Sequence, residues 1–186
     1  MKKFTLAFMV FLLVGCATSP QTLTVAPELV LTPLNGVVVP IELKVTDNRA
    51  NTDLLGYRNA KQQGPISFSE SLAKSIGETV EQALNEQGVE TKVGGPEPKT
   101  VLEIEIDELK YWSPDESWVS RIEMKAEMSV KVSRGQTHIK KRFASNRMQE
   151  VATAPTAEYN QIFLNGMLTE LLTKALSDRE IVSFIK

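Results

Sequence analysis

The sequence predicts a single α+β domain in which a mixed, mostly antiparallel sheet carries two helices packed on one face. Three observations predict it. Runs of alternating apolar and charged residues at 41–45, 102–107 and 122–132 have the two-residue period of half-buried strands. Two runs with helical spacing, Phe68 to Leu84 and Tyr159 to Ala175, stand between and after them. The turn signal Ser133-Arg134-Gly135-Gln136 separates two long strand-like runs and sets them antiparallel as a hairpin. A chain of 186 residues, less a short leader, is long enough for one core and requires no second domain.

The leader comes first. Lys2 and Lys3 precede an uncharged apolar run from Phe4 to Val14, and Leu13-Val14-Gly15-Cys16 puts a small residue just before a cysteine. That order of parts is a signal peptide, residues 1–15, ending in a lipobox. The apolar run is about half the roughly 20 residues a membrane-spanning helix needs. Cys16 is therefore the expected lipidation site, because a thiolate is the side chain nucleophilic enough to take a diacylglycerol by thioether formation. Each buried acyl methylene contributes about 0.8 kcal/mol, so several chains make the anchorage permanent. Ala17, rather than Asp, follows the cysteine, which under the usual sorting rule directs the protein to the outer membrane, on its periplasmic face. The chain has one cysteine, so no disulfide is expected in the domain.

Residues 16–36 are polar and carry Pro20, Pro27 and Pro33, the composition of an extended tether at roughly 3 Å per residue. Within it, Leu23 to Leu31 is the part able to pack. The domain proper is expected over 37–186. Val37 to Val45 is the first strand, and Thr46 to Pro65 is a long loop. Ser67 and Glu70 are spaced as a capping box for a helix bearing Phe68, Leu72, Ile76, Val80, Ala83 and Leu84 on one face and ending at Gly88. Gly77 inside it costs about 1 kcal/mol relative to Ala, which a close approach to the sheet would explain. After a turn at Gly94-Gly95-Pro96, Thr100 to Trp112 alternates with a register slip near Glu108. Trp118 to Val132 and Thr137 to Gln149 complete an antiparallel meander. Thr156 caps a second helix with Tyr159, Ile162, Phe163, Met167, Leu171 and Ala175 on one face, and Asp178 to Ile185 is a short apolar closing element.

This order of parts resembles the YajG family of bacterial lipoproteins: lipobox, proline-bearing tether, a strand ending in Asp47-Asn48-Arg49, a capped helix, an acidic-apolar strand, a long hairpin, and a final helix with Ser183-Phe184-Ile185-Lys186. The resemblance covers nearly the whole chain and implies lipid anchorage, without implying an activity.

The formal charge of −2 does not suit a nucleic-acid binder. His138 is the only histidine, with no second His or Cys to join it in a metal site or nucleophile pair, so neither a metal nor a cofactor is expected and the chain reads as non-catalytic. Glu103, Glu105 and Asp107 share a strand face, as any solvated strand face does, and Lys125 offsets their repulsion if it lies opposite.

Two regions suit binding better. The long loop offers Asp47, Arg49, Tyr57 and Arg58, of which Asp47 and Arg49 either brace the strand end or meet a ligand. The hairpin offers Lys140 and Arg142 among Lys131, Arg134, His138, Lys141 and Arg147, a basic cluster that either meets an anionic partner or protects an edge strand. Trp112 and Trp118 flank a turn at Ser113-Pro114-Asp115-Glu116, and burial against it is their plainer use.

The expected function is a lipid-anchored envelope module that binds a partner, an envelope protein first of all. The alternatives are a carrier of lipid or glycan, with an apolar site between helices and sheet, and a hydrolase without His or Cys chemistry.

Overall fold

The computed structural model describes residues 19–34, 39–92, 100–114 and 120–186. Cys16 with its leader, the Gly94-Gly95-Pro96 turn, Asp115-Glu116 and Trp118 lie outside the described residues.

The centre of the sheet is built by alternation. Strands β6 (Thr100–Trp112), β7 (Ser120–Arg134) and β8 (Thr137–Val151) form the antiparallel meander, β7 and β8 closing on a tight turn in which Gly135 takes a φ of 60°. Leu102, Ile104, Ile106, Leu109 and Tyr111 on β6, with Ile122, Met124, Met128, Val130 and Val132 on β7, point to the same buried face. Each such side chain contributes about 1.5–3 kcal/mol by leaving water. The register slip falls where it is expected: Ile106 stands opposite Met128 and Glu108 opposite Glu127, so Asp107 is the extra residue of a β-bulge.

The other edge of β6 is shared by two strands. Its first half pairs in parallel with β2 (Ile41–Asp47), from Ile41 opposite Thr100 to Asp47 opposite Ile106. Near its end Tyr111 stands opposite Gly56 of β3 (Leu54–Tyr57), and β3 turns back as β4 (Pro65–Phe68). Beyond β4 lies β1 (Gln21–Leu23), parallel to it, and beyond β2 lies β5 (Thr91–Lys92). The eight strands make one open mixed sheet whose longest ladders are antiparallel.

Helices α1 (Leu72–Glu86) and α2 (Ala157–Leu176) cover one face, followed by the short α3 (Arg179–Ile185). Thr156 caps α2 by accepting from the Tyr159 amide. For α1 the expected capping box is corrected. Ser67 and Phe68 belong to β4, paired with Thr22 and Leu23, and the cap is Ser71, which accepts from the Lys74 amide. The glycine reading is corrected as well: a Cβ on Gly77 would meet Val45 at 3.7 Å, an ordinary contact, so the approach of α1 to β2 leaves room for alanine.

Two further expectations change. The 46–65 segment is not a continuous loop, because it contains β3. The stretch read as a tether packs over Leu23 to Leu31, as expected of that part, but is already bound from Gln21, with Leu23 fully buried. Past β1 the chain runs extended along α2: the amides of Thr24, Ala26 and Glu28 donate to Gln161 Oε1, Asn165 Oδ1 and Thr169 Oγ1 at 2.9, 3.0 and 3.0 Å. Alternate residues of an extended segment thus meet side chains four apart on a helix. On α2 itself Leu164, Met167, Leu168, Leu171 and Ala175 face the sheet, whereas Tyr159 and Ile162, expected on that face, are exposed.

Candidate functional site

The end of β2 shows how the sheet divides. Asn48 donates to the Ile106 carbonyl as the last β2 bond to β6, and Arg49 then fills the notch before β3. Its guanidinium grips Asp47 through two bonds, Nε to Oδ1 at 2.9 Å and Nη2 to Oδ2 at 2.7 Å. The remaining donors reach the carbonyls of Thr52 and Leu54 at 2.7 and 3.1 Å, and Phe68 lies under the guanidinium at 5.1 Å. Both side chains are nearly inaccessible, at 6% and 7% exposure. Of the two readings left open for Asp47 and Arg49, the geometry supports the brace.

Arg58 also works inward. One terminal nitrogen donates to Ser19 O and the other to Pro155 O, both at 3.1 Å, tying the start of the described chain to the approach to α2. Gln21 joins the same buried group, donating to Pro155 O at 3.0 Å and accepting from Asn160 Nδ2 at 2.7 Å. Beside it Tyr111 is buried, and that burial pushes its phenol up to about 12, with the Asn160 amide and the Arg58 charge pulling the other way.

Tyr57, at the end of β3, faces a cleft of about 580 Å³ between the 49–62 segment and the end of β6. Leu54 and Leu109 contribute apolar lining, Trp112 stands with Tyr57 as its aromatic component, and Ala60 and Gln62 belong to the β3–β4 turn. Gln62 has a φ of 58°, which among the described residues no other non-glycine shares; the turn therefore stores backbone strain on the border of the cleft.

Lys140 and Arg142 are not brought to this cleft. They lie on the solvated sheet face, paired with Glu105 at 2.6 Å and Glu127 at 2.7 Å. Lys131 meets Glu103 at 2.7 Å, and Lys125 meets Glu108 at 2.6 Å rather than the three acids it was expected to offset. Lys141 and Arg147 turn to the other face, toward Asp178 and Glu170 on the helical layer. The basic cluster is thus interleaved with carboxylates. His138 is exposed near the hairpin turn. Among the described residues no group of three His, Cys, Asp or Glu is placed to hold a metal ion, and no helix is long and apolar enough to cross a membrane.

The cleft itself was not read from the sequence. Its walls come from β3 and its turn, which lie inside the expected loop, and the signals pointing to it were Tyr57 and Trp112.

A family model described as an uncharacterised lipoprotein matches residues 32–186. The chain belongs to that lipoprotein family. The resemblance to the YajG family is thereby shown. No curated protein matches the chain significantly. Among solved structures, the lipoprotein is similar to protein XCC0632 from Xanthomonas campestris, of family DUF330, at 12% identity and a TM-score of 0.63, covering 86% of this chain and 95% of that one. A second uncharacterised protein is similar at 12% identity and a TM-score of 0.51, covering 86% of this chain and all of the other. At such identities the likeness is one of fold.

In this lipoprotein the cleft lies near the start of the described chain. Tyr57 flanks it, and Arg58, the next residue, holds Ser19. Asp107 and Glu108 border the cleft, but Asp107 accepts from the Ser129 hydroxyl at 2.6 Å and Glu108 is paired with Lys125. The arrangement offers aromatic and amide contacts to a ligand and engages its carboxylates elsewhere.

Proposed function

We propose that this lipoprotein is a non-catalytic binding module, anchored through Cys16 on the periplasmic face of the outer membrane, whose cleft receives a segment of an envelope protein. The observation that supports this reading is the cleft beside Tyr57 and Trp112. Its volume of about 580 Å³ is that of a binding pocket, and aromatic side chains are the ones enriched where proteins meet. The bordering carboxylates, tied to Ser129 and Lys125, support binding over acid–base chemistry. Ala17 after Cys16 supports outer-membrane sorting. Against a carrier with a site between helices and sheet, that space is filled by Leu164, Met167, Leu168 and Leu171, all within 1% of complete burial.

The test places a photocrosslinking residue at Ala60 of the lipidated protein in cells, with Asn146 on the solvated sheet face as control. The reading expects one reproducible protein adduct from Ala60, reduced severalfold by Trp112→Ala and by Cys16→Ser. A lipid adduct from Ala60 would support the carrier instead, and adducts from Asn146 alone would remove the cleft from consideration.

A further inference from the structure

We propose that the first two turns of α2 contact the membrane, with Tyr159, Ile162 and Phe163 resting in the interfacial layer of the bilayer that holds the lipid on Cys16. The inference rests on lipidation of Cys16 and goes beyond the binding cleft.

The first support is a ridge that stands out from the core: Phe163 is half-buried against the core, and Tyr159 and Ile162 are exposed beside it. Ile162 is 67% exposed and Tyr159 37%, and the Tyr159 ring stacks on Phe163 with centroids 6.4 Å apart. Positions i, i+3 and i+4 form one stripe on a helix. The other sides of α2 are occupied: Leu164, Met167 and Leu168 meet the sheet, and Gln161, Asn165 and Thr169 hold the extended segment at 24–28. The outward face of a helix covering a water-soluble domain is ordinarily polar; on α2 it is so further along, at Glu170 and Lys174, whereas the first two turns expose Tyr159 and Ile162.

The second support is where the chain to the anchor ends. Arg58 holds Ser19 O and Pro155 O with one guanidinium, and Pro155 immediately precedes the Thr156 cap of α2. Cys16 stands three residues before Ser19, so its sulfur attachment lies within about 11 Å of Ser19 even at full extension. Ile162 is about 9 Å along the helix from Thr156 at 1.5 Å per residue. The acyl chains and the ridge therefore share one end of the molecule, and the short link holds that end at the bilayer surface. Tyrosine and phenylalanine with an aliphatic neighbour suit the interface, where a ring has one side in lipid and its polar tip in water. Glu158 borders the ridge in the first turn, so the contact is apolar rather than electrostatic and added salt leaves it in place.

The test uses full-length lipidated protein in vesicles of phosphatidylethanolamine with a minority of phosphatidylglycerol. Because Cys16 is the single cysteine and carries the lipid, Ile162→Cys gives one free thiol for an environment-sensitive fluorophore. Lys174→Cys, at an exposed position in the last turn of α2, is the comparison, and Tyr159→Cys repeats the measurement should Ile162→Cys fold poorly. The expected result is a blue-shifted emission at 162, quenched severalfold more than at 174 by nitroxide-bearing lipids and unchanged by salt. Equal, weak quenching at both positions on protein that floats with the vesicles overturns the ridge contact and leaves the anchor standing. A blue shift that lipid nitroxides do not quench assigns the ridge to a second copy or a protein and also overturns it. Protein that does not float overturns the anchor and the ridge together.

Discussion

Gly56 lies so close to Tyr111 that a Cβ at position 56 would stand 1.9 Å from the Tyr111 carbonyl oxygen. This contact joins β3 to the end of β6, and no side chain fits in it. Gly56→Ala is expected to lower stability by at least about 2 kcal/mol, within the range for forced overpacking, and to open the cleft wall. Urea denaturation would show the midpoint fall, and an unchanged midpoint would mean that β3 and β6 are not held together at this point.

Asp47→Ala leaves the Arg49 guanidinium buried with its main counter-charge gone. The expected loss is about 3–5 kcal/mol, the range for breaking a buried pair from one side. Arg49→Lys loses the two-pronged grip on Asp47 and the donors to Thr52 and Leu54, so it is expected to fall between wild type and Asp47→Ala. Denaturation midpoints of the two variants give the ranking; equal, negligible losses would show the pair to be dispensable.

Tyr111 gives the protein an alkaline limit. Its phenol titrates at about 12 when folded against an ordinary value of 10.0. Because the folded value is raised, the contribution is fully present below about pH 10 and is lost as pH rises toward 12, at up to about 1.4 kcal/mol per unit. Stability measured against pH should bend downward in that window for wild type and less so for Tyr111→Phe. The variant also removes a buried hydroxyl that, among the described residues, has only the Asn160 amide nearby and makes no well-formed hydrogen bond to it, so at neutral pH its stability is expected to match or exceed wild type.

Gly77→Ala is expected to stabilise. The added methyl meets only Val45, at contact distance, and the helix gains about 0.5–1 kcal/mol from reduced freedom in the unfolded chain. Thermal unfolding should show a small rise in Tm. A fall would mean that α1 sits closer to β2 than this geometry gives.

How much of this was legible follows from what each element depends on. The strand from Ile122 to Val132 and the slip before Glu108 were readable because alternation is a local pattern, and one displaced residue interrupts it visibly. Thr156 was readable because a cap precedes its helix. β3 was not, since Leu54-Leu55-Gly56-Tyr57 does not alternate and its glycine is required by Tyr111, which is remote in sequence. The cap of α1 was misplaced at Ser67, because the pairing of Ser67 with Thr22 that takes it into β4 is not a local pattern. Tyr159 and Ile162 fell on the expected core face because hydrophobicity was read as burial. Asp47 and Arg49 were visible as a pair, but the notch they fill is created by two strands sharing one edge of β6. The cleft depends on that same division of the sheet.

The three amides held along α2 join positions 137, 139 and 141 residues apart. Contacts of such separation form late, because the entropy of closing the chain is lost before they reward it. Residues 24–28 therefore cannot lock until the last long helix has been made, whereas β1 already has its partner in β4. Until then the segment from Thr24 to Glu28 stays accessible, and a chain stopped before Gln161 would fasten, of residues 21–28, only the three residues of β1, through β4. The anchored end is thus secured in two steps, and the second waits for α2.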